Sequence, residues 1–392
     1  MLENKLIYLD NSATTSISNE ALSAYVEASR NFFGNPSSLH SLGASSEKEI
    51  KHARDILLSS LGAKDFTAVF TASGSEANNL AIIGRATAKE RYKRGAKIIT
   101  SDSEHASVNA PLEELKKNGF KIAKIPTRNG IIDEAALISE MTPDTVLVSV
   151  MMVNNETGAL YDTKKVRDIM KSLAPEAVLH VDATQAFMKL AFSAKGCGAD
   201  MITVSSHKIH GPKGVGALII SQDLIKKRGL APIIFGGGQE GGLRSGTENV
   251  PGIIAFGKAI ECEASVLLKS EAHMRNLRGY LIEKLTRTPT LSEISITNPK
   301  KSAPHILNLT LPKIKSETML HFLSSEGIFV SSGSACSSNS NHKSSALVAY
   351  GRSDAEADSS IRISFSRFNT ESDVDALCEA LAAGLSRLSR IR

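Results

Sequence analysis

The fold class is decided by two stretches, VLHVDATQ at residues 178–185 and MITVSSHK at residues 201–208. Each begins with a predominantly apolar run, which is typical of a strand buried on both faces of a parallel sheet. Each ends in a side chain that can carry chemistry, Asp182 in the first and Lys208 in the second. Because ligands of α/β proteins bind outside the carboxyl ends of the strands, these two residues are expected at one edge of a sheet.

The pattern of apolar strands continues on both sides of these stretches. The five further candidate strands are AVFTA (68–72), KIITS (97–101), FKIAKI (120–125), TVLVSVMMV (145–153) and GALII (216–220). Helical patterns, for example at 76–95 and 163–173, lie between them. This alternation predicts an α/β fold with a mostly parallel seven-stranded sheet covered by helices.

The C-terminal third of the chain has a different pattern. A long helical region at 252–286 precedes a strand at 305–311 and a helix at 316–327. A strand at 360–366 and an amphipathic helix then end the chain. This order predicts a smaller α+β domain.

Composition and charge restrict the class of protein. The 392 residues are 42% hydrophobic and 22% charged, which is typical of a globular chain with a sizeable core. A formal net charge of +5 fits small anionic ligands or an acidic protein partner and does not favour direct binding to nucleic acid. The N-terminus lacks the pattern of a signal peptide, and no apolar run is long enough to span a membrane. The four cysteines have no CxxC spacing, so we expect no disulfide framework, no metal site and a cytoplasmic protein without membrane contact.

Three further strand ends carry candidate functional groups. Gly74 and Ser75 follow one strand and open a helix, where free backbone N–H groups can bind a phosphate. His105 follows the next strand, where an imidazole could stack on a ring or move protons near neutral pH. Asn155 follows the longest apolar run. Taken singly, these residues could equally form a serine-capped turn, a capped histidine turn and an asparagine turn.

The two stretches that decide the fold have structural alternatives as well. Asp182 could cap a helix or join a salt bridge, and Lys208 could be a solvated loop residue. Together, however, an anion site, an imidazole, an amide, a carboxylate and a lysine at successive strand ends match the needs of pyridoxal 5'-phosphate (PLP). A lysine close to apolar walls has a lowered pKa, which favours the neutral amine that forms Schiff bases.

Motifs along nearly the whole chain carry a resemblance to a known family. They are YLDNSATT (8–15), FGNPSSLH (33–40), HVDATQ (180–185), SSHKIHGPKG (205–214), GGGQEGGLRSGTENV (236–250), SSGSACSS (331–338) and SSIRISFSRF (359–368). With these motifs the chain resembles the cysteine desulfurases of the nitrogen-fixation and iron–sulfur-cluster type, within the class V aminotransferase family of PLP fold-type I enzymes. The resemblance implies PLP as cofactor, L-cysteine as substrate and a homodimer with shared sites.

The resemblance also implies a role for each candidate residue. Lys208 would form the Schiff base with PLP, Asp182 would pair with the pyridinium nitrogen, and Gln185 would hydrogen-bond the phenolic oxygen. His105 would stack on the cofactor ring and move protons. The implied phosphate ligands are Gly74, Ser75, Ser205, His207 and, from the neighbouring subunit, Thr247. The implied substrate ligands are Asn35, Asn155 and Arg362, with Asn155 also beside the cofactor.

The implied reaction depends on Cys336, which lies in a serine-rich stretch at 331–345. Its thiolate would attack the substrate sulfur, so that L-cysteine becomes L-alanine and a persulfide remains on Cys336. The sulfur would pass to an acceptor protein for iron–sulfur cluster assembly or tRNA thiolation. The alternatives are a selenocysteine lyase, another class V aminotransferase without sulfur chemistry, or a non-catalytic scaffold.

The resemblance implies a division into two domains. The large PLP-binding domain would span 15–258, and the small domain would combine 1–14 with 259–392. The small domain would carry the catalytic cysteine loop, at about 328–352, which resembles the longer loop of one group within the family.

Overall fold

The computed structural model describes residues 6–93, 95–332 and 344–388. The predicted nucleophile, Cys336, lies outside the described residues. The strands are β1 (Ile7–Tyr8), β2 (Phe66–Thr71), β3 (Lys97–Ser101), β4 (Lys121–Ile125), β5 (Thr145–Met151), β6 (Val178–Asp182), β7 (Met201–Ser205), β8 (Gly216–Ser221), β9 (Ser295–Thr297), β10 (Ile306–Thr310), β11 (Ile328–Phe329), β12 (Ser331–Ser332) and β13 (Ser360–Ser364). The helices are α1 (Asn19–Asn31), α2 (Ser41–Ser60), α3 (Gly74–Thr87), α4 (Ala106–Lys117), α5 (Glu134–Glu140), α6 (Thr163–Leu173), α7 (Gln222–Lys226), α8 (Val250–Arg287), α9 (Ser316–Ser325), α10 (Ser345–Tyr350), α11 (Asp354–Asp358) and α12 (Glu371–Leu388).

The main sheet has seven strands in the order β2-β8-β7-β6-β5-β3-β4. Four of its strand pairings are parallel, and β8 is antiparallel to both of its neighbours. Every residue of β5, β6 and β7 is buried, as expected for central strands covered by helices on both faces. The prediction of a mostly parallel seven-stranded sheet is therefore confirmed.

The reversed strand β8 brings two strand ends together. Its first residue, Gly216, pairs with Thr71 at the end of β2 and with Ser205 at the end of β7. A Cβ atom at Gly216 would lie 2.5 Å from the carbonyl carbon of Ser73 and 2.8 Å from the nitrogen of Gly74. The lack of a side chain at Gly216 thus allows the turn after β2 to pack directly against the end of β7.

A second sheet, in the order β12-β13-β10-β9, is antiparallel throughout. Its core consists of apolar residues from β10 and β13, packed with apolar side chains of α8 and α12. In α12, Val374, Leu377 and Leu381 are fully buried, which matches the apolar face expected for the final helix. The predicted domain boundaries at 14/15 and 258/259 stay a prediction.

The N-terminal segment, residues 7–15, connects the two sheets. The Leu9 N–H donates to the carbonyl of Phe329 at 2.8 Å, and the Thr15 N–H donates to the carbonyl of His207 at 2.9 Å. Asp10 forms an isolated parallel bridge with Ser364 of β13. The segment therefore carries backbone groups from the second sheet to the carboxyl end of β7.

The described residues contain neither a membrane-spanning helix nor a cluster of metal ligands. None of their helices has the length and the apolar character needed to cross a bilayer. Within the same residues, no group of three or more His, Cys, Asp or Glu side chains is placed to hold a metal ion.

Candidate active site

A cavity of about 280 Å³ lies at the carboxyl ends of β2, β5, β6 and β7. Ten of the residues singled out from the sequence line it together. They are Gly74, Ser75, His105, Asn155, Asp182, Gln185, Ser205, His207, Lys208 and Arg362. Strand ends that are far apart along the chain thus converge on one space, as the topology of a parallel sheet requires.

Lys208 ends a short 3₁₀ turn, Ser206–Lys208, that follows β7 directly. Its Nζ donates to the carbonyl oxygens of Ser12 and Ala13, at 2.7 and 2.8 Å. Gln185 Nε2 donates to the same Ser12 oxygen at 2.9 Å. The backbone of the N-terminal segment therefore orients both side chains toward the cavity.

Asp182 is 6% exposed at the end of β6. Its Oδ2 accepts a hydrogen bond from Asn78 Nδ2 at 2.8 Å, and its Oδ1 accepts one from the Thr184 N–H at 2.9 Å. A buried carboxylate needs such donors to offset its loss of hydration. These two bonds fix the plane of the carboxyl group at the cavity wall.

His105 is the N-cap residue of α4. Its Nδ1 accepts a hydrogen bond from the Ser107 N–H at 3.1 Å, so that the proton of the neutral ring is on Nε2. Burial lowers the pKa of the imidazole, and Lys208 lowers it further against the opposing charge of Asp182. Ser107 Oγ also accepts from Asn78 Nδ2 at 2.8 Å, which links the imidazole to the donor that holds Asp182.

The turn after β2 forms an anion cradle. Ser73 caps α3 by accepting a hydrogen bond from the Glu76 N–H, and Gly74 begins the helix. A Cβ atom at Gly74 would lie only 3.2 Å from Ser205 Cβ. Ser205 Oγ is buried and has no hydrogen-bond partner among the described residues. A helix start and an unpartnered hydroxyl beside one cavity are suited to a phosphate.

His207 lies beside this cradle. Its Nδ1 is 3.0 Å from Thr14 Oγ1. Burial, together with the charges of Lys208 and Lys213, lowers the pKa of His207 to about 4. The imidazole is therefore neutral near pH 7 and contributes hydrogen bonding rather than charge.

Arg362 reaches the cavity from β13 of the second sheet and is 4% exposed. Its Nη1 donates to the Asn155 carbonyl at 2.9 Å, and its Nη2 donates to Asp10 Oδ1 at 2.8 Å. Burial raises the pKa of Asp10 while Arg362 opposes that rise. Within the described part of the chain, Arg362 Nε has no partner. The guanidinium thus brings a buried positive charge with spare donor capacity to the cavity.

Two predicted site residues, Asn35 and Thr247, do not line this cavity, and a third lies outside the described part of the chain. Asn35 is exposed, and its Oδ1 accepts from the Ser37 N–H at 2.9 Å. Thr247 is exposed and lines a separate small depression with Ala72 and Arg244. Cys336 lies outside the described residues, so its position relative to the cavity stays a prediction.

Sequence reasoning missed the residues that hold the site together. Asn78 and Ser107 connect His105 with Asp182, and the carbonyls of Ser12 and Ala13 hold Lys208. Asn78 lies in the stretch SGSEANN at 73–79, four positions after Gly74, so helical spacing could have placed it on the cavity side. Backbone carbonyls leave no mark in a sequence.

With this geometry established, comparison with known proteins shows the family. The sequence profile described as aminotransferase class-V matches residues 7–377. The chain belongs to the class V aminotransferase family. It is 38% identical over 384 residues to a protein of Archaeoglobus fulgidus named "Cysteine desulfurase IscS 1", covering 97% of each chain.

Solved structures of this family give the same result. A structure titled "NIFS-LIKE PROTEIN" superposes with a TM-score of 0.89 at 33% identity, covering 97% of this chain and 99% of the other. A second, titled "SspA in complex with cysteine", superposes with a TM-score of 0.77 at 32% identity and covers 93% and 99% of the two chains. The family and the fold type expected from the sequence motifs are therefore confirmed.

Proposed function

We propose that this chain is a PLP-dependent cysteine desulfurase, which releases L-alanine from L-cysteine and retains the sulfur as a persulfide on Cys336. The observation that carries the proposal is the single cavity lined by Lys208, Asp182, His105 and Arg362. The names of the relatives support the reaction, and enzymes of this family depend on PLP.

The residues present fit PLP. The Gly74–Ser75 helix start, the unpartnered Ser205 hydroxyl and the neutral His207 would hold the phosphate. Asp182, fixed by Asn78, would accept from the ring nitrogen. When bound, PLP supplies an electron sink that labilises bonds at the α-carbon of an amino acid.

The chain's own groups provide the proton transfers. Lys208 Nζ donates to two carbonyl oxygens, which orient the amine at the cavity. The His105 ring lines the same cavity, and its Nδ1 accepts the hydrogen bond from the Ser107 N–H. Nε2 is then the ring atom that can exchange a proton with the substrate.

Recognition of the substrate carboxylate falls to Arg362 and Asn155. A guanidinium presents two parallel N–H groups to a carboxylate, and burial strengthens that interaction because water competes less. The Asp10 contact keeps the guanidinium in place through Nη2. We assign Asn35 to the same task as a proposal, although its side chain faces solvent in this subunit.

The other cysteines are poor alternatives to Cys336 as nucleophile. Burial raises the pKa of the Cys197, Cys262 and Cys378 thiols, which disfavours the reactive thiolate. None of these three lines the cavity. Cys336, in the sequence between β12 and α10, follows a strand that pairs with the strand bearing Arg362.

The proposal includes a homodimer with shared sites. Thr247 is exposed and does not line its own cavity, so that it could meet the cofactor phosphate of a second copy. Exposed apolar side chains in the first 42 residues and beside the glycine-rich loop at 236–247 are available for such a contact. They are Leu22, Val26, Phe33, Leu39, Leu42 and Phe235.

The remaining parts of the proposal rest on the sequence. We propose a PLP-binding domain at 15–258 and a small domain formed by 1–14 and 259–392, with the cysteine loop at about 328–352. We propose a cytoplasmic protein without membrane contact and without a metal. Its sulfur acceptor would be an iron–sulfur scaffold or a tRNA-thiolation protein.

The test uses the full chain loaded with PLP and supplied with L-cysteine and a thiol reductant. Wild type should form alanine and sulfide in equal amounts, because one sulfur leaves with each alanine. Cys336→Ser should abolish both products while the visible absorbance of the lysine-bound cofactor persists. Cys262→Ser, which changes a cysteine outside the cavity, is the matched control and should retain activity.

Each other outcome would contradict a particular part of the proposal. Full activity of Cys336→Ser would show that the nucleophile is assigned wrongly. A much higher kcat/KM for selenocysteine than for cysteine would indicate a selenocysteine lyase. Amino transfer to a keto acid without sulfide release would indicate another class V aminotransferase, and absence of cofactor absorbance would indicate a scaffold.

A further inference from the structure

The glycine-rich loop, residues 236–247, has an unusual backbone. Five of its residues have positive φ angles: Gly238 (79°), Glu240 (51°), Gly241 (65°), Gly242 (81°) and Gly246 (115°). Glu240 adopts this conformation although it has a side chain, which costs free energy and persists only where surrounding contacts offset that cost. The contacts that hold the loop in this conformation therefore indicate its role.

A first ion pair anchors the start of the loop to β2. Arg54 Nη1 and Nη2 donate to the two carboxylate oxygens of Glu240 at 2.7 and 3.1 Å, and the Glu240 side chain is 3% exposed. The Phe70 N–H also donates to Glu240 Oε2 at 3.1 Å. The bidentate pair holds Glu240 in its left-handed conformation.

A second ion pair joins the loop to the anion cradle. Arg244 Nε donates to Glu76 Oε1 at 2.9 Å. The other oxygen of this carboxylate accepts from the Ala72 N–H at 2.9 Å, immediately before the Ser73–Ser75 turn. Both side chains are largely buried, with exposures of 16% for Glu76 and 22% for Arg244. One carboxylate thus binds the subunit's own phosphate turn and the loop at the same time.

The end of the loop depends on these anchors. Gly246 separates Arg244 from Thr247, and its N–H is held by Gln239 Oε1 at 2.9 Å. Thr247 itself is exposed and lines the small depression beside Ala72 and Arg244. Only Ser245 and Gly246 lie between Arg244 and Thr247, so the anchor at Arg244 fixes the start of the short segment that ends at Thr247.

We propose that the Glu76–Arg244 ion pair is a positioning device that acts in trans: it fixes Thr247 for the cofactor phosphate of the partner subunit. The inference rests on the proposed homodimer and deepens it, because it names the residues through which one subunit supports the site of the other. Glu76 and Arg244 do not line the cavity, so their proposed role is to position Thr247 and not to catalyse.

The test uses full-length dimers with two affinity tags, so that each subunit can carry its own variant. In the first dimer, one subunit carries Lys208→Ala with Arg244→Gln, and the other is wild type. In the second dimer, one subunit carries Lys208→Ala alone, and the other carries Arg244→Gln. Each dimer has one site with an intact Lys208. In the first dimer the Arg244→Gln loop belongs to the partner of the subunit that carries this site, and in the second dimer it belongs to the same subunit.

The first dimer should lose lysine-bound PLP about tenfold faster than a dimer of Lys208→Ala with wild type, as expected for the loss of one charge-assisted contact. The second dimer should match that parent dimer. Arg275→Gln is the matched control, because Arg275 pairs with Glu271 at the same 2.9 Å on α8 and lies outside both sites. It should leave cofactor retention unchanged in either arrangement.

Equal retention in all dimers, or a greater loss in the second dimer than in the first, would overturn the proposal. A monomeric wild-type protein would overturn it as well. Glu76→Gln, which keeps an acceptor for the Ala72 N–H and removes the charge, should reproduce the effect of Arg244→Gln in trans. Because cofactor retention is read without cysteine, failure of the desulfurase assignment would leave this test intact.

Discussion

Replacing Arg362 with lysine is expected to lower kcat/KM for L-cysteine about 10- to 150-fold. The guanidinium holds the Asn155 carbonyl at 2.9 Å and Asp10 Oδ1 at 2.8 Å, and it is 4% exposed. A lysine ammonium is a point charge that cannot keep both contacts and also bind a carboxylate with two parallel bonds. Losing one hydrogen bond to a charged group costs about 1.5–3 kcal/mol, and each loss of about 1.4 kcal/mol is tenfold in rate.

Steady-state alanine formation over a range of L-cysteine concentrations measures this effect, with the cofactor absorbance confirming that the variant is loaded. Lysine keeps a positive charge beside Asp10, so the protein should stay folded and the loss should appear in activity. Arg275→Lys on α8 is the control and should leave kcat/KM unchanged. An Arg362→Lys enzyme with the wild-type kcat/KM would refute the assignment of Arg362 to the substrate carboxylate.

Two further predictions concern stability and pH. Burial raises the pKa of Glu104 to about 8, although hydrogen bonds from Ser101 and Met151 oppose that rise. Because the unfolded chain then releases its proton at a lower pH than the folded chain, the contribution of Glu104 to the free energy of unfolding is lost as pH rises from about 4.5 toward 8. In urea unfolding, the stability of Glu104→Gln relative to wild type should therefore increase between pH 5 and pH 8. If the difference in stability between the two proteins is the same at both pH values, the raised pKa is contradicted. Burial lowers the pKa of His180 to about 4, and because the unfolded chain then binds more protons, its contribution is lost as pH falls from about 6.5 toward 4. His180→Asn should flatten the decline of the urea midpoint over that range, and an equally steep decline would show that His180 is not the group responsible.

The strand-end residues could be predicted from the sequence because topology leaves little freedom there. Asp182 and Lys208 follow central strands whose apolar runs mark them as buried, and parallel neighbours end at the same edge. His105 and Gly74 follow from the same rule. The reversed direction of β8 could not be predicted, since its run GALII has the same character as the parallel strands.

Contacts between residues far apart in the sequence could not be predicted for a different reason. Arg54 and Glu240 are 186 positions apart, and each is a charged residue of a type that is usually found at the surface. The assignment of Arg362 to the site rests on the family resemblance, and no feature of its own strand predicts it. Only the fold shows that its guanidinium and Lys208 face one cavity.

The N-terminal segment explains why the site cannot form in either sheet alone. Asp10 of this segment holds Arg362 from the second sheet, and two residues later the Ser12 carbonyl holds Lys208 from the main sheet. The Ser364 N–H of β13 donates to the Leu9 carbonyl at 2.7 Å, and the Thr15 N–H donates to the His207 carbonyl at 2.9 Å. The segment therefore cannot shift toward one sheet without breaking its bond to the other. The distance between the lysine and the arginine is thus set by two residues of backbone and not by the long path through β7, α8 and β13. In the proposed function, an amino acid bound by its carboxylate at Arg362 would therefore be presented to Lys208 at a fixed span, which is what proton transfer at its α-carbon requires.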